Sequence, residues 1–185
     1  MKSLLLASSS PRRQELLKLL DIPFHTFSSD IDETIPPGIS PAEAVKQLAY
    51  KKAEAAIKSH QESIVIGCDT IVVHNGRILG KPESREDAFR TLSQLSNQTH
   101  SVFTGVCMMT NESYRCFYEE TIVTFWELDS QDIHAYIDSG EPFDKAGSYG
   151  IQGKAALFVK EIQGDYYNVV GLPVSRLARE LSSFR

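Results

Sequence analysis

The stretch Leu4-Leu5-Leu6-Ala7-Ser8-Ser9-Ser10-Pro11-Arg12-Arg13 reads as a short buried strand, a hydroxyl-rich turn and the first turn of a helix. Ser10 suits the N-cap and Pro11 the first helical position, so the helix start is well specified. The two arginines that follow are placed against helix stability. A first turn presents unpaired N–H groups and a partial positive charge, and each cation there costs about 0.3–1 kcal/mol. An anion at the same spot reverses the sign. Backbone N–H groups, the serine hydroxyls from Ser8 onward and the guanidiniums of Arg12 and Arg13 together suit a di- or triphosphate. A solvated arginine pair is the plainer alternative; a strand feeding a helix N-terminus, recurrent in nucleotide binding, weighs against it.

A chain of 185 residues fits a single domain, residues 1–185, and is long enough to bury a full core. Its net charge of -5 weighs against wrapping nucleic acid, which needs a basic face, but leaves room for a small anionic substrate in a locally basic site. Three cysteines, Cys68, Cys107 and Cys116, are odd in number and lack paired metal-ligand spacing, which points to reduced thiols in a cytoplasmic protein. The N-terminal apolar run is too short for a signal peptide, and no segment approaches membrane-spanning length, so no membrane partner is expected.

Outward from the opening stretch, Phe24 to Phe27 reads as a second strand leading into Asp30, Asp32 and Glu33, three carboxylates within four residues. Ser40-Pro41 with Glu43 forms a capping box, and the helix runs to about Ser59 with Val45, Leu48, Ala49 and Ala56 on one stripe. Lys52 falls inside that apolar stripe, where it either snorkels or reaches a buried anion. Ile64 to Val73 is the most apolar run of the chain and is interrupted by Asp69. A carboxylate there costs several kcal/mol unless paired, hydrated or bound to a cation. The alternative is an aspartate capping a turn between two strands beside Gly67. Asn75-Gly76 makes a hairpin returning through Ile78 and Leu79 to Gly80-Lys81-Pro82, and its register would end Lys81 near the strand of Asp69.

A helix from Ser84 buries Ala88, Leu92 and Leu95. Two alternating strands follow, Val102 to Met109 and Phe117 to Trp126, and then a helix from Ser130 to Gly140. Asp144 to Gly153 is a loop with three glycines spaced by two residues, carrying an acid, a base and the Gln152 amide; it matches neither a dinucleotide fingerprint nor a Walker loop. Leu157 to Ile162 and Tyr166 to Val170 read as a hairpin around Gln163-Gly164, and a helix from Pro173 closes the chain. The class is α/β with a mixed, partly antiparallel twisted sheet flanked by helices.

Cationic groups suited to a polyphosphate thus accompany carboxylates suited to a hard cation, for which magnesium fits best. The five histidines have no zinc spacing, and Cys68 has no histidine placed to activate it. The parts suit hydrolysis of a phosphoanhydride, with Asp69 orienting and deprotonating water.

The residues resemble the Maf family of nucleoside triphosphate pyrophosphatases. The resemblance rests on Ala-Ser-x-Ser-Pro-Arg-Arg at Ala7 to Arg13, Glu33, Leu48-Ala49 with Lys52-Ala53, Gly67-x-Asp69-Thr70, Gly80-Lys81-Pro82 and Asp144 to Gly153. It implies an inosine triphosphate pyrophosphatase-like fold with two lobes and a cleft, a divalent metal (magnesium or manganese) held by Glu33 and Asp69, and release of pyrophosphate. Asp69 is then the proton acceptor. Ser8, Arg12, Arg13, Lys52, Thr70, Lys81 and Gln152 become the substrate-binding residues. Arg12, Thr70 and Gln152 fall where branches of the family differ, and threonine with glutamine is similar to the dTTP/UTP branch. A glutamine amide offers both a donor and an acceptor to the imide edge of uracil or thymine, whereas a carboxylate only accepts. The resemblance also implies a homodimer, and it leaves open a 7-methyl-GTP substrate or a nucleotide-sensing role in septum formation.

Overall fold

The computed structural model describes residues 3–28 and 30–184. Seven strands form one mixed sheet: β1 (Ser3–Ala7), β2 (Phe24–Thr26), β3 (Ser63–His74), β4 (Arg77–Leu79), β5 (Thr99–Met109), β6 (Tyr114–Phe125) and β7 (Val159–Gln163). Their order is β2-β1-β3-β5-β6-β7, with β4 added to β3. The helices are α1 (Pro11–Lys18), α2 (Pro41–Ile57), α3 (Arg85–Leu95), α4 (Ser130–Asp138), α5 (Tyr166–Val170) and α6 (Val174–Phe184). The chain divides into two compact units. The first takes the residues up to Thr70, then Thr104–Glu119 and the chain from Gly171; the second takes Ile71–Phe103 and Glu120–Val170. Strands β3, β5 and β6 each contribute residues to both.

In the first unit β1 runs parallel to β2 and β3, with Leu4 opposite Ile64 and Ala7 opposite Gly67. Helix α2 starts as its capping box dictates: the Ser40 hydroxyl accepts the Glu43 N–H, with proline next in line. Its inward stripe is small. Ala49, Ala53 and Ala56 pack with Leu5, Ala7, Val65, Cys107 and Met109. Two glycines let the helix backbone touch the sheet. A Cβ on Gly67 would stand 2.1 Å from the Ala49 carbonyl oxygen, and one on Gly105 would stand 2.3 Å from that of Val45. No side chain fits those gaps, so β3, β5 and α2 are held at backbone contact distance. Lys52, between Ala49 and Ala53, is thereby brought down onto β3.

The second unit is built around Phe125, Tyr149 and Phe158, closed by Ala88, Leu92 and Leu95 of α3 and Ile133, Tyr136 and Ile137 of α4. Both helices carry side-chain N-caps, Ser84 on the Asp87 N–H and Asp129 on the Asp132 N–H. The Asn75-Gly76 turn has both residues at positive φ, as a two-residue hairpin needs, and Val72 pairs with Leu79. Pairing stops at Leu79, two residues short of Lys81.

Some expectations change. Asp69 interrupts nothing: β3 runs unbroken from Ser63 to His74, which removes the reading of a capped turn. Ser10 is the N-cap of α1 by position, but its side chain makes no capping bond. Helix α1 ends at Lys18 and buries Leu16 and Leu17. The second half of the expected late hairpin is helical. Tyr166–Val170 forms α5, started by Asp165, whose carboxylate accepts the Tyr167 N–H at 2.8 Å, and fixed by the buried Asn168 amide. Its β-branched and aromatic residues favoured a strand, and tertiary hydrogen bonds overrode that preference. The three cysteines are free thiols.

Candidate active site

Two clusters in the first unit gather most of the sequence-predicted residues. The first centres on Lys52. Its ammonium lies 2.5 Å from Asp69 Oδ1 and 2.8 Å from Glu33 Oε1, with the Lys52 and Asp69 side chains only 14% and 12% exposed. The lysine on the apolar stripe of α2 therefore reaches a buried anion. Burial works to lower the Lys52 pKa, but the charge of Asp69 and the hydrogen bonds that Lys52 donates to both carboxylates outweigh it, and the net shift is upward. Lys52 stays an ammonium at neutral pH. Asp32 is turned instead into its own loop, accepting the Thr34 N–H, while Lys51 donates to the Asp32 carbonyl.

The second cluster centres on Arg13. Its Nε donates to the Gly171 carbonyl at 2.8 Å, Nη1 to Ser8 Oγ at 3.2 Å and Nη2 to Thr70 Oγ1 at 2.9 Å. Three of five guanidinium donors are thus committed to the protein and fix its plane, leaving two for a ligand. Ser8 Oγ also accepts the Ser10 N–H. Arg12 is half-buried in the first turn of α1, a turn with no acidic residue and no side-chain cap, so its N–H groups and partial charge retain their preference for an anion. Thr70 and Asp69 are neighbours on β3, and the two clusters meet there.

Cys68, also on β3, donates its thiol hydrogen to the Gly171 carbonyl at 3.2 Å, and burial pushes its pKa up. It is a packed thiol and not a nucleophile. Gly171 and Thr104, whose hydroxyl lies 2.9 Å from that of Thr70, escaped the sequence reading. A polar residue inside the apolar run Val102–Met109 was the only available signal for Thr104, and for Gly171 there was none.

Lys81 and Gln152 belong to the second unit, where both are exposed. The loop bearing Gln152 is anchored there. The Gly147 N–H donates to the Gly80 carbonyl at 3.0 Å, Gly147 abuts Val72, and Tyr149 meets His100 Nε2 at 2.6 Å.

No cluster of three or more His, Cys, Asp or Glu side chains suited to a metal occurs among the described residues. Glu33 and Asp69 nevertheless direct one oxygen each at a single cationic point. That donor set fits a hard ion that keeps several waters and takes one or two carboxylates plus substrate phosphates. No helix among the described residues is long and apolar enough to cross a membrane.

The fold is like that of the Staphylococcus aureus Ham1 protein, with a TM-score of 0.57 at 16% identity over the full length of both chains. By sequence, residues 3–184 match the family model described as Maf-like protein. The chain is 55% identical over 184 residues to a dTTP/UTP pyrophosphatase of Bacillus cytotoxicus, covering 100% of this chain and 96% of that one. A protein of the same name from Bacillus cereus strain G9842 is 53% identical, with the same coverage. A pattern that runs from β1 to α6, shared with relatives more than half identical along nearly their full length, places the chain in the Maf family.

Proposed function

We propose that the chain is a dTTP/UTP pyrophosphatase, hydrolysing the α–β phosphoanhydride to nucleoside monophosphate and pyrophosphate. One observation carries the chemistry: Asp69, an acid in the middle of the most buried strand, is ion-paired to an ammonium and stands beside a hydroxyl-and-guanidinium cluster. The relatives named above support the substrate class.

In this reading Asp69 accepts a proton from the attacking water, while Lys52 and Arg13 balance the charge that spreads over the phosphate oxygens. The N-terminus of α1, with Ser8 and Arg12, takes the remaining phosphate oxygens. Glu33 and Asp69 would hold a magnesium ion, which when bound supplies charge neutralisation and polarises water. Lys81 and Gln152 are assigned by their place in the family pattern, Lys81 to phosphate and Gln152, with Arg12 and Thr70, to base preference. A cytoplasmic homodimer belongs to the same proposal, and sedimentation at several concentrations tests its stoichiometry.

The deciding experiment is a panel of nucleoside triphosphates, 7-methyl-GTP included, with pyrophosphate and orthophosphate detected separately. Magnesium-dependent pyrophosphate release fastest with dTTP and UTP, abolished by EDTA, is the expected result. Orthophosphate as the sole product, or preference for 7-methyl-GTP, would overturn the assignment.

A further inference from the structure

The turn between β5 and β6 sets two cysteines opposite each other. The Thr110 N–H donates to the Ser113 carbonyl at 2.8 Å, which makes these two a hydrogen-bonded pair of the antiparallel ladder. Such pairs alternate with non-hydrogen-bonded ones, so three residues further along each strand Cys107 faces Cys116 in a non-hydrogen-bonded pair. The same register holds at the far end of the ladder, where the Thr99 and Thr124 hydroxyls lie 3.0 Å apart. Residues paired in this way stand about 4.5 Å apart at Cα, within the roughly 4.4–6.8 Å that a disulfide spans. Both side chains lie on the α2 face of the sheet. Cys107 packs with Ala49 and Ala53, and Cys116 packs against the same group. Tyr114, two residues before Cys116 and so on its face, meets Tyr50 of α2 edge-on at 5.0 Å between ring centroids. Cys107 is fully buried, Cys116 is half-buried, and both are free thiols. A hydrogen bond with Cys107 lowers the Cys116 pKa, opposed by burial and Glu43 and aided by the Lys46 ammonium; the same bond and burial raise that of Cys107. The more accessible thiol is therefore also the more acidic one, with a second sulfur directly opposite.

We propose that Cys107 and Cys116 form a redox-active dithiol that hydrogen peroxide converts to a cross-strand disulfide. The Cys116 thiolate attacks one peroxide oxygen and the O–O bond breaks. Cys116 becomes a sulfenic acid, and the departing hydroxide takes up the proton that Cys116 had shed and leaves as water. The Cys107 sulfur then attacks the Cys116 sulfur. The S–O bond breaks, and the hydroxide released takes the Cys107 proton and leaves as a second water. Two electrons pass from the two sulfurs to the peroxide. Closure holds Cys116 at a level that a thiol reductant reverses, ahead of the irreversible sulfinic acid. Cys68 takes no part, being fully buried with its thiol on the Gly171 carbonyl. This chemistry is independent of the nucleotide reading of the site given above.

In the test, hydrogen peroxide in small molar excess is added to the full chain, the protein is unfolded, free thiols are alkylated, and the products are mapped by mass spectrometry. The wild type is expected to lose two of its three thiols and about 2 Da, with Cys107 and Cys116 peptides joined and Cys68 alkylated; dithiothreitol restores all three. In Cys107→Ala the second sulfur is gone, and Cys116 is expected to advance to the sulfinic acid, about 32 Da heavier, which dithiothreitol does not reverse. Cys68→Ala is expected to close the disulfide as the wild type does. Three thiols remaining in the wild type would overturn the inference. So would a bridge that includes Cys68 or joins two chains, or Cys116 carried to the sulfinic acid while Cys107 is still a thiol. Should Cys107→Ala fail to fold, the wild-type peptide map decides alone.

Discussion

Each unit holds a buried polar cluster, and the two differ in kind. In the first, the Lys52 ammonium is ion-paired to Glu33 and Asp69, and part of the group remains open, with Glu33 56% exposed. In the second, His100 joins Tyr149, while Asn168 donates to the Val102 carbonyl at 3.0 Å and to Thr121 at 2.9 Å; all of these groups are sealed. Both sets of groups are neutral. Burial, with a smaller contribution from His74, lowers the His100 pKa to about 4, so the ring is uncharged at neutral pH. Charged groups that stay partly accessible have chemistry left to perform, whereas neutral groups bonded in the interior specify packing. Polarity under the surface is therefore not by itself a mark of function.

On that distinction, Asp69→Asn removes turnover and not structure. We expect kcat for dTTP to fall by about 10³-fold or more, worth roughly 4 kcal/mol at the transition state, with Tm within a few degrees of wild type, because Lys52 keeps Glu33 as a partner. A variant that unfolds, or one that retains a tenth of wild-type activity, would erase the difference between the clusters.

The second unit supplies the converse experiment. A histidine whose pKa is about 4 when folded and 6.5 when unfolded binds its proton more tightly in the unfolded chain at intermediate pH. Its contribution to stability is complete above about pH 6.5 and is lost as pH falls toward 4. The loss amounts to about 3 kcal/mol from the gap of about 2.5 units. Urea denaturation at pH 7.5, 6, 5 and 4 measures it, and His100→Leu should flatten that portion of the profile. An unchanged slope in the variant would remove His100 as the source.

The smallest expected effect is at Asn168. Replacing it by leucine deprives the Val102 carbonyl and the Thr121 hydroxyl of a donor, for a cost of about 1–3 kcal/mol in urea denaturation at neutral pH. A neutral outcome would mean that the sealed cluster is less dependent on its polar bonds than its burial implies.

The sequence made one of these clusters legible and hid the other. Lys52 broke the apolar stripe of α2, and Asp69 broke the greasiest run in the chain; each violated a local pattern, and each is a charge. Arg12 and Arg13 violated the electrostatics of a helix start in the same way. His100 and Asn168 violated nothing visible. A neutral imidazole and an amide are tolerated in many settings, and their partners lie 49 and 66 residues away in the chain. Helix α5 differs from the strand its local preference favours for a related reason: besides the Asp165 cap at its start, it is fixed by Asn168 bonds to residues remote in sequence.

Local chemistry settled the elements with strong punctuation: the Ser40-Pro41 and Ser84 helix starts, the Asn75-Gly76 turn and the apolar strands of the sheet. It also singled out the ionised residues, because an unneutralised charge is expensive wherever the chain puts it. Only the tertiary structure decided what those charges meet. Lys52 reaches Asp69 because two glycines, Gly67 on β3 and Gly105 on β5, let α2 lie directly against the strands. Thr104 reaches Thr70, and Gly171 reaches Arg13, across 34 and 158 residues. A hydrogen bond depends on separations of a few tenths of an ångström, and such distances exist only once remote segments have packed.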